Sequence, residues 1–129
     1  MATYKKPEAQ EWAWAHLRGE WSTIMTPFTI DDQVDEEGLR SNIRHIRSLG
    51  TTGAGCTWGM GEFWSLTREE RLKIYDVVSD EASGNWLTAA HVTHTSTKET
   101  LHLSTHAEFT GFDLLVVGAP DLATKKERQ

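Results

Sequence analysis

The sequence predicts an α/β fold that is part of a (β/α)8 TIM barrel, namely its first four strands behind an N-terminal helix. Strand-like and helix-like segments alternate at intervals of roughly 30 residues, which is typical of a parallel sheet with right-handed crossovers. No glycine-rich phosphate-binding sequence follows the first strand, which argues against a doubly wound dinucleotide fold. A complete barrel needs about 200 to 250 residues. The 129 residues therefore predict half a barrel over residues 19–129, after a helical extension over residues 1–18.

The first half of the chain predicts a helix, a strand and a second helix. The first helix covers residues 7–18 and stops at Gly19. The strand covers residues 21–25 and ends before Pro27, because proline has no N–H to donate to a ladder. Asp35 is the predicted N-cap of the second helix, whose apolar positions share one face. These positions are Leu39, Ile43, Ile46 and Leu49.

The second half continues the alternation. A strand over residues 53–58 is followed by a capping box that begins a helix at Thr67. The third strand covers residues 86–92, and the next helix begins near Thr97. The fourth strand, residues 112–117, is almost wholly apolar, as expected of a sheet covered on both faces. The predicted apolar positions of the helix before it are Leu101, Leu103, Ala107 and Phe109.

Composition and charge exclude several classes of protein. The formal net charge is −6, which argues against nucleic acid or an anionic membrane as the main partner. The longest apolar stretch, residues 112–117, is far too short to span a bilayer, and the N-terminus has no apolar core of a secretory signal. The single cysteine, Cys56, is interpreted as a buried apolar residue, with a nucleophile as the alternative. We therefore expect a cytoplasmic protein.

The stretch over residues 53–71 carries the strongest functional signal. Its apolar strand ends in the sequence Gly-Met-Gly-Glu, and a helix cap follows five residues later. In parallel α/β sheets such loops lie at the carboxyl ends of strands, where ligands bind. The sequence therefore predicts a small-molecule site at this end of the fold.

Further motifs occur in a fixed order along the chain. They are residues 26–29 after the first strand, 35–39 at the next helix, 61–63 and 65–71 after the second strand, then 97–100, 106–108 and the run ending at Pro120. In order and spacing they resemble the N-terminal half of the dihydrodipicolinate synthase / N-acetylneuraminate lyase family, the class I pyruvate-type aldolases. The resemblance covers residues 18–126, most of the chain.

The resemblance implies a mechanism and a set of site residues. In the family, a lysine on the sixth strand forms a Schiff base with pyruvate or another 2-keto acid, and the iminium serves as an electron sink. A tyrosine after the fourth strand relays protons, and the loop after the second strand binds the substrate carboxylate. No cofactor is implied. The loop residues here are Gly59, Met60 and Gly61, with Thr26, Glu62 and His91 as neighbours on the active face.

The chain departs from the family pattern in three places. No sixth strand with a lysine occurs in these 129 residues, so we expect a truncated chain without Schiff-base activity of its own. Asp121 occupies the tyrosine position, where an ionised carboxylate is a poor proton relay; a loop residue without a catalytic role is the alternative. Gly59 and Met60 replace hydroxyl residues, which predicts weaker keto-acid binding or a less polar substrate.

Two other interpretations stay open beside the aldolase. His91 and His94 are spaced as metal ligands, with Glu62 or Asp121 as candidates for a third, although no metal site is expected. Alternatively, a non-catalytic module would keep the loop as a carboxylate site without turnover. The open edges of a half barrel would favour pairing with a second copy. The expected partners are therefore a small-molecule keto acid and the chain itself.

Overall fold

The computed structural model describes residues 4–82 and 84–119, which contain one four-stranded parallel sheet. A doubly wound sheet would reverse its strand order at a switch point. Here the strands lie side by side in chain order, which confirms the predicted barrel-type winding. The strands are β1 (Trp21–Thr23), β2 (Gly53–Cys56), β3 (Leu87–His91) and β4 (Leu114–Val116).

Two of the helices, which begin at Glu36 and Arg68, start where local capping signals predict. The Asp35 side chain accepts a hydrogen bond from the Gly38 N–H (3.0 Å), and Thr67 and Glu70 form a reciprocal capping box. Within the described residues, no helix is both long and apolar enough to cross a bilayer. The α-helices of these residues are α1 (Ala9–His16), α2 (Glu36–Ser48), α3 (Arg68–Glu81) and α4 (Thr97–Thr110).

The hydrophobic core lies between one face of the sheet and helices α2, α3 and α4. Ala54 and Cys56 of β2 point into it, because alternate side chains of a strand share a face. Leu39 and Leu103 are fully buried on the helix side, and each such side chain contributes about 1.5–3 kcal/mol on burial. The opposite face of the sheet carries Gly55 and corresponds to the inner face of a barrel.

Three predicted apolar helix positions face solvent instead. Leu101 and Phe109 are 63% and 87% exposed, whereas α4 buries Leu103 and Ala107. The buried pair is spaced by four residues, but Leu101 and Phe109 each lie two residues, about 200° around the helix, from a buried residue. Leu49 is the C-cap of α2 and is 66% exposed, since it follows the last helical residue.

The strands are shorter than predicted because the chain leaves the sheet early. β2 ends at Cys56, since Thr57 adopts the left-handed region (φ 53°) and turns the backbone out of the ladder. β1 ends at Thr23, although the Ile24 N–H still donates to a β2 carbonyl (2.9 Å). The first α-helix begins later than predicted, after a 3-10 turn over Lys6–Glu8.

Helix α1 packs near the amino-terminal ends of the strands. The Tyr4 hydroxyl donates to the carbonyl of Asp113, which lies just before β4 (2.8 Å). The Trp12 ring contacts the rings of Tyr4 and His16, at centroid distances of 4.4 and 4.8 Å. The N-terminal helix is therefore attached at the opposite end of the sheet from the loop after β2.

The Trp58 indole folds back onto the inner face of the sheet at Gly55. A Cβ added to Gly55 would lie 2.1 Å from the Trp58 ring. We expect Gly55→Ala to lower the free energy of unfolding by about 1–3 kcal/mol, because a rigid ring must move. Gly59→Ala is the matched control, since its Cβ would meet only Trp64, at 4.0 Å. Urea denaturation measures both variants, and equal effects would contradict this packing.

Candidate functional site

The loop after β2 makes a tight, exposed turn at the carboxyl end of the sheet. A 3-10 turn covers Gly59–Gly61 and is closed by two main-chain hydrogen bonds of 2.9 and 3.0 Å. Among the described residues, the N–H groups of Gly59 and Met60 have no acceptor, as is usual for the first donors of such a turn. Both residues are exposed. The turn therefore offers two free N–H groups, the kind of donor that binds a carboxylate.

Thr26 connects this turn to the end of β1. Its hydroxyl donates to the Gly61 carbonyl (3.0 Å). Gly61 is buried, and an added Cβ would lie 3.1 Å from the Ile24 carbonyl oxygen. The structure thus brings two of the sequence-predicted site residues into direct contact, with the Thr26 side chain as an anchor of the turn.

Glu62 shapes the turn through its main chain. Its backbone adopts the left-handed region (φ 56°), and its carbonyl accepts hydrogen bonds from the Ser65 N–H and hydroxyl, both at 2.9 Å. The Glu62 side chain is exposed, and its carboxylate makes no hydrogen bond or ion pair with the described residues. Its carboxylate is therefore free to face solvent or a ligand.

His91 lies at the end of β3 and is half-buried. Its ring packs edge-to-face against Phe63 of the loop, with centroids 4.4 Å apart. Burial and the nearby Arg71 charge lower the pKa of His91, against a smaller opposing effect of a hydrogen bond with the Thr57 backbone. The imidazole is therefore neutral at neutral pH, and its buried Nδ1 has no partner in the part of the chain described.

Sequence reasoning missed Arg71, which is only 2% exposed. Its guanidinium donates to the Thr93 carbonyl (3.0 Å), the Tyr75 hydroxyl (3.3 Å) and the His91 carbonyl. It also lies 5.8 Å from the centroid of the Phe63 ring. One signal was available, because Arg71 is three and four residues before Ile74 and Tyr75 and so shares their buried helix face.

Two hydroxyl groups meet at the same carbonyl oxygen. The Thr57 hydroxyl and the Tyr75 hydroxyl each donate to the His91 carbonyl, at 2.9 and 2.8 Å. Burial raises the pKa of Tyr75, so its hydroxyl stays protonated as a donor. Thr57 is a β-branched residue in the left-handed region, a rare conformation that these contacts maintain.

Comparison with known proteins assigns the family. The sequence matches the model of the dihydrodipicolinate synthetase family over residues 16–125. The chain belongs to this family. The family is that of the dihydrodipicolinate synthases and N-acetylneuraminate lyases, so the resemblance noted in the sequence is confirmed.

The chain aligns with only part of the length of its curated relatives. It is 36% identical over 104 residues to 4-hydroxy-tetrahydrodipicolinate synthase from Methanothermobacter thermautotrophicus, and 33% identical over 104 residues to N-acetylneuraminate lyase from Citrobacter koseri. These alignments span 81% of this chain but 37% and 35% of the two relatives. The chain therefore spans about a third of the length of these relatives.

Solved structures of the family have the same fold. YagE, a prophage protein of the dihydrodipicolinic acid synthase family from E. coli K12, was solved in complex with pyruvate. It superposes with a TM-score of 0.74 at 30% identity, over 78% of this chain and 34% of that one. The four strands described above are therefore part of a family TIM barrel.

The tyrosine-position residue and the lysines of the chain are not among the groups that meet at the loop after β2 in the described residues. Asp121, at the family's tyrosine position, lies outside the described residues, so its predicted role stays a prediction. The four lysines in residues 4–82 and 84–119 are all exposed and none lies in the loop after β2. They are Lys5, Lys6, Lys73 and Lys98.

Cys56 and the histidines show no sign of other chemistry. Burial raises the pKa of the Cys56 thiol to about 12, so it stays protonated at neutral pH. This agrees with the interpretation of Cys56 as a buried apolar residue. The described residues contain no group of three or more side chains placed to hold a metal ion. His94 Nδ1 instead accepts a hydrogen bond from the Ser96 N–H (3.0 Å).

A cavity of about 420 Å³ lies at the other end of the sheet, between α1 and the starts of β3 and β4. Trp12, Trp86 and Asp113 are among its lining residues. We place the site at the carboxyl edge instead, because active sites of barrel enzymes lie at that end. The carboxyl edge is open here since the described strands surround only part of a barrel interior.

The lowered pKa of His91 predicts a pH-dependent stability. The pKa of His91 is about 6.5 in the unfolded chain and lower in the folded chain. Between these two values the unfolded chain binds more protons than the folded chain. The free energy of unfolding therefore falls as the pH falls from the unfolded pKa through the folded pKa of His91. We expect His91→Gln to flatten this slope, because glutamine does not titrate. Urea denaturation across this pH range measures it, and an unchanged slope would contradict the burial of a neutral His91.

Proposed function

We propose that the loop after β2 binds the carboxylate of pyruvate or another 2-keto acid, as part of a lyase or aldolase of the family. The observation that carries the proposal is the Gly59–Gly61 turn, with two exposed N–H groups and no acceptors among the described residues. The pyruvate complex of the similar protein YagE supports the choice of ligand. A cytoplasmic location is part of this proposal, and a single buried, unpaired cysteine is compatible with it.

In this proposal each loop residue has a distinct part. The Gly59 and Met60 N–H groups bind the carboxylate by charge-assisted hydrogen bonds. Thr26 holds the turn through the Gly61 carbonyl, and the exposed Met60 side chain gives the ligand an apolar neighbour. His91, which is neutral at neutral pH, is a polar group beside the site without a charge that would compete for the anion.

We further propose that these 129 residues form no Schiff base by themselves. In the family reaction, a lysine amine attacks the keto carbon, and loss of water gives the iminium. A nucleophilic lysine needs burial or a cationic neighbour to be deprotonated near neutral pH. All lysines of the described residues are exposed, and Lys73 is paired with Glu36 (3.7 Å). The lysines of the described residues would therefore not convert a keto acid that is bound at the loop.

A proline substitution tests the carboxylate contact. Gly59→Pro removes one of the two N–H groups at a position where proline is compatible, because Trp58 is extended and Gly59 is the first residue of the turn. We expect pyruvate affinity to fall by about ten- to 150-fold, as loss of one charge-assisted hydrogen bond costs about 1.5–3 kcal/mol. Gly59→Ala keeps the N–H and is the control. NMR titration with pyruvate measures both, and equal affinities would overturn the contact.

Borohydride trapping tests the absence of turnover. We expect no covalent adduct by mass spectrometry when the 129-residue chain is treated with pyruvate and sodium borohydride, although pyruvate shifts the loop resonances. The reductant converts an iminium to a stable secondary amine, so a mass increase on any lysine would disprove the inactivity proposal. Absence of both binding and adduct would instead count against the keto-acid site.

An exposed sheet edge favours a second candidate, a self-associating module without catalysis. β4 lies at the edge of the described sheet, and Leu115, Val116 and Val117 are 41%, 36% and 62% exposed. Such an apolar edge is a template for pairing with another strand. In this proposal, a second copy of the chain covers the edge.

Sedimentation velocity tests this association. We expect the chain to form dimers or larger species, and Leu115→Lys to shift it towards the monomer because a charge is then placed on the edge. Leu101→Lys changes an exposed leucine of α4 away from the sheet and is the matched control. A wild-type chain that sediments as a folded monomer with low binding of a hydrophobic dye would rule the association out.

A further inference from the structure

Arg71 is a buried cation without a carboxylate partner among the described residues. The exposed or half-exposed arginines Arg40, Arg44 and Arg68 pair with carboxylates at the surface. Within residues 4–82 and 84–119, the buried Arg71 contacts only main-chain carbonyls, one hydroxyl and an aromatic ring, and its Nε has no partner there. Burial of an arginine that lacks a counter-ion is costly, so its position needs a reason beyond packing.

The contacts of Arg71 link the loops that surround the proposed site. One side of the guanidinium binds the His91 and Thr93 carbonyls, at the end of β3 and just after it. The Thr93 hydroxyl in turn accepts a hydrogen bond from the Gly118 N–H after β4 (2.6 Å). The guanidinium also lies near the ring of Phe63, two residues after the Gly59–Gly61 turn.

We propose that Arg71 is a positioning residue of the keto-acid site: it connects the loop after β2 to the ends of β3 and β4, and its charge favours an anionic ligand at the turn. The preference for an anionic ligand rests on the proposed function, whereas the positioning of the loop by Arg71 does not. The Phe63 ring centroid lies 5.8 Å from the Arg71 guanidinium carbon and 4.4 Å from the centroid of the His91 ring. Movement of the guanidinium would therefore displace the loop.

The charge contributes separately from the contacts. An arginine stays protonated at any pH of interest, and a charge in the protein interior is screened less than one at the surface. Because no described carboxylate neutralises Arg71, its field extends to nearby groups, and it contributes to the lowered pKa of His91. A carboxylate at the turn gains from this field, whereas a neutral analogue of the same shape does not.

The test compares Arg71→Met with Arg71→Lys in the 129-residue chain. The first measurement is amide hydrogen exchange of Gly61 and Glu62, whose N–H groups close the turn. We expect Arg71→Met to speed this exchange at least about tenfold, while Ile43 in the core of α2 is unchanged. Arg71→Lys keeps the charge but not the forked geometry, so it should restore the exchange only in part.

The second measurement separates charge from contact. Pyruvate and its neutral analogue pyruvamide are titrated by NMR. We expect Arg71→Met to weaken pyruvate at least about tenfold, and pyruvamide by a smaller factor. Arg71→Lys should recover most of the preference for the anion. Equal losses for the two ligands would disprove the electrostatic part of the proposal.

The remaining results of these experiments also support or disprove the role of Arg71. Unchanged exchange in a folded Arg71→Met chain, or equal acceleration at Ile43, would show that Arg71 does not position the loop. If wild type binds no pyruvate, the keto-acid function falls, and exchange alone decides the positioning role. If Arg71→Met does not fold, Phe63→Leu breaks the same link from the loop side, and faster exchange confined to Gly61 and Glu62 is then required.

Discussion

The carbonyl oxygen of His91 is the point on which the carboxyl end of this sheet depends. Three side chains donate to it: the hydroxyls of Thr57 and Tyr75 and the guanidinium of Arg71. Buried hydrogen bonds are strong because no water competes for the acceptor. They join β2, β3 and α3 at a single atom, and the loop after β2 follows their geometry. The left-handed Thr57 and the buried Arg71 both result from this convergence.

The same convergence sets the charge of the site. Burial raises the pKa of Cys56 and lowers that of His91, so both side chains are neutral at neutral pH, while Arg71 remains charged. The described part of the carboxyl edge therefore combines a buried cation with free N–H groups and contains no activated nucleophile. Such an arrangement suits binding of an anion.

Local signals predicted the elements well, and packing explains the errors. The caps at Asp35 and Thr67 were predicted because a cap needs only residues three positions apart. The predicted burial of Leu101 and Phe109 was wrong, because an apolar residue is buried only when a neighbouring element covers its face of the helix. Arg71 was missed since arginine is usually exposed, and its burial comes from carbonyls of another strand.

The sequence by itself determined the order of elements, the family and the position of the glycine turn, because these depend on residues close together in the chain. Only the tertiary structure decided which groups meet at the site. Thr26 and Gly61 are 35 residues apart, and Arg71 and His91 are 20 apart. Such contacts form only after parallel pairing brings the strand ends together, so the local helix pattern could indicate the burial of Arg71 but not the carbonyls and the ring that it contacts.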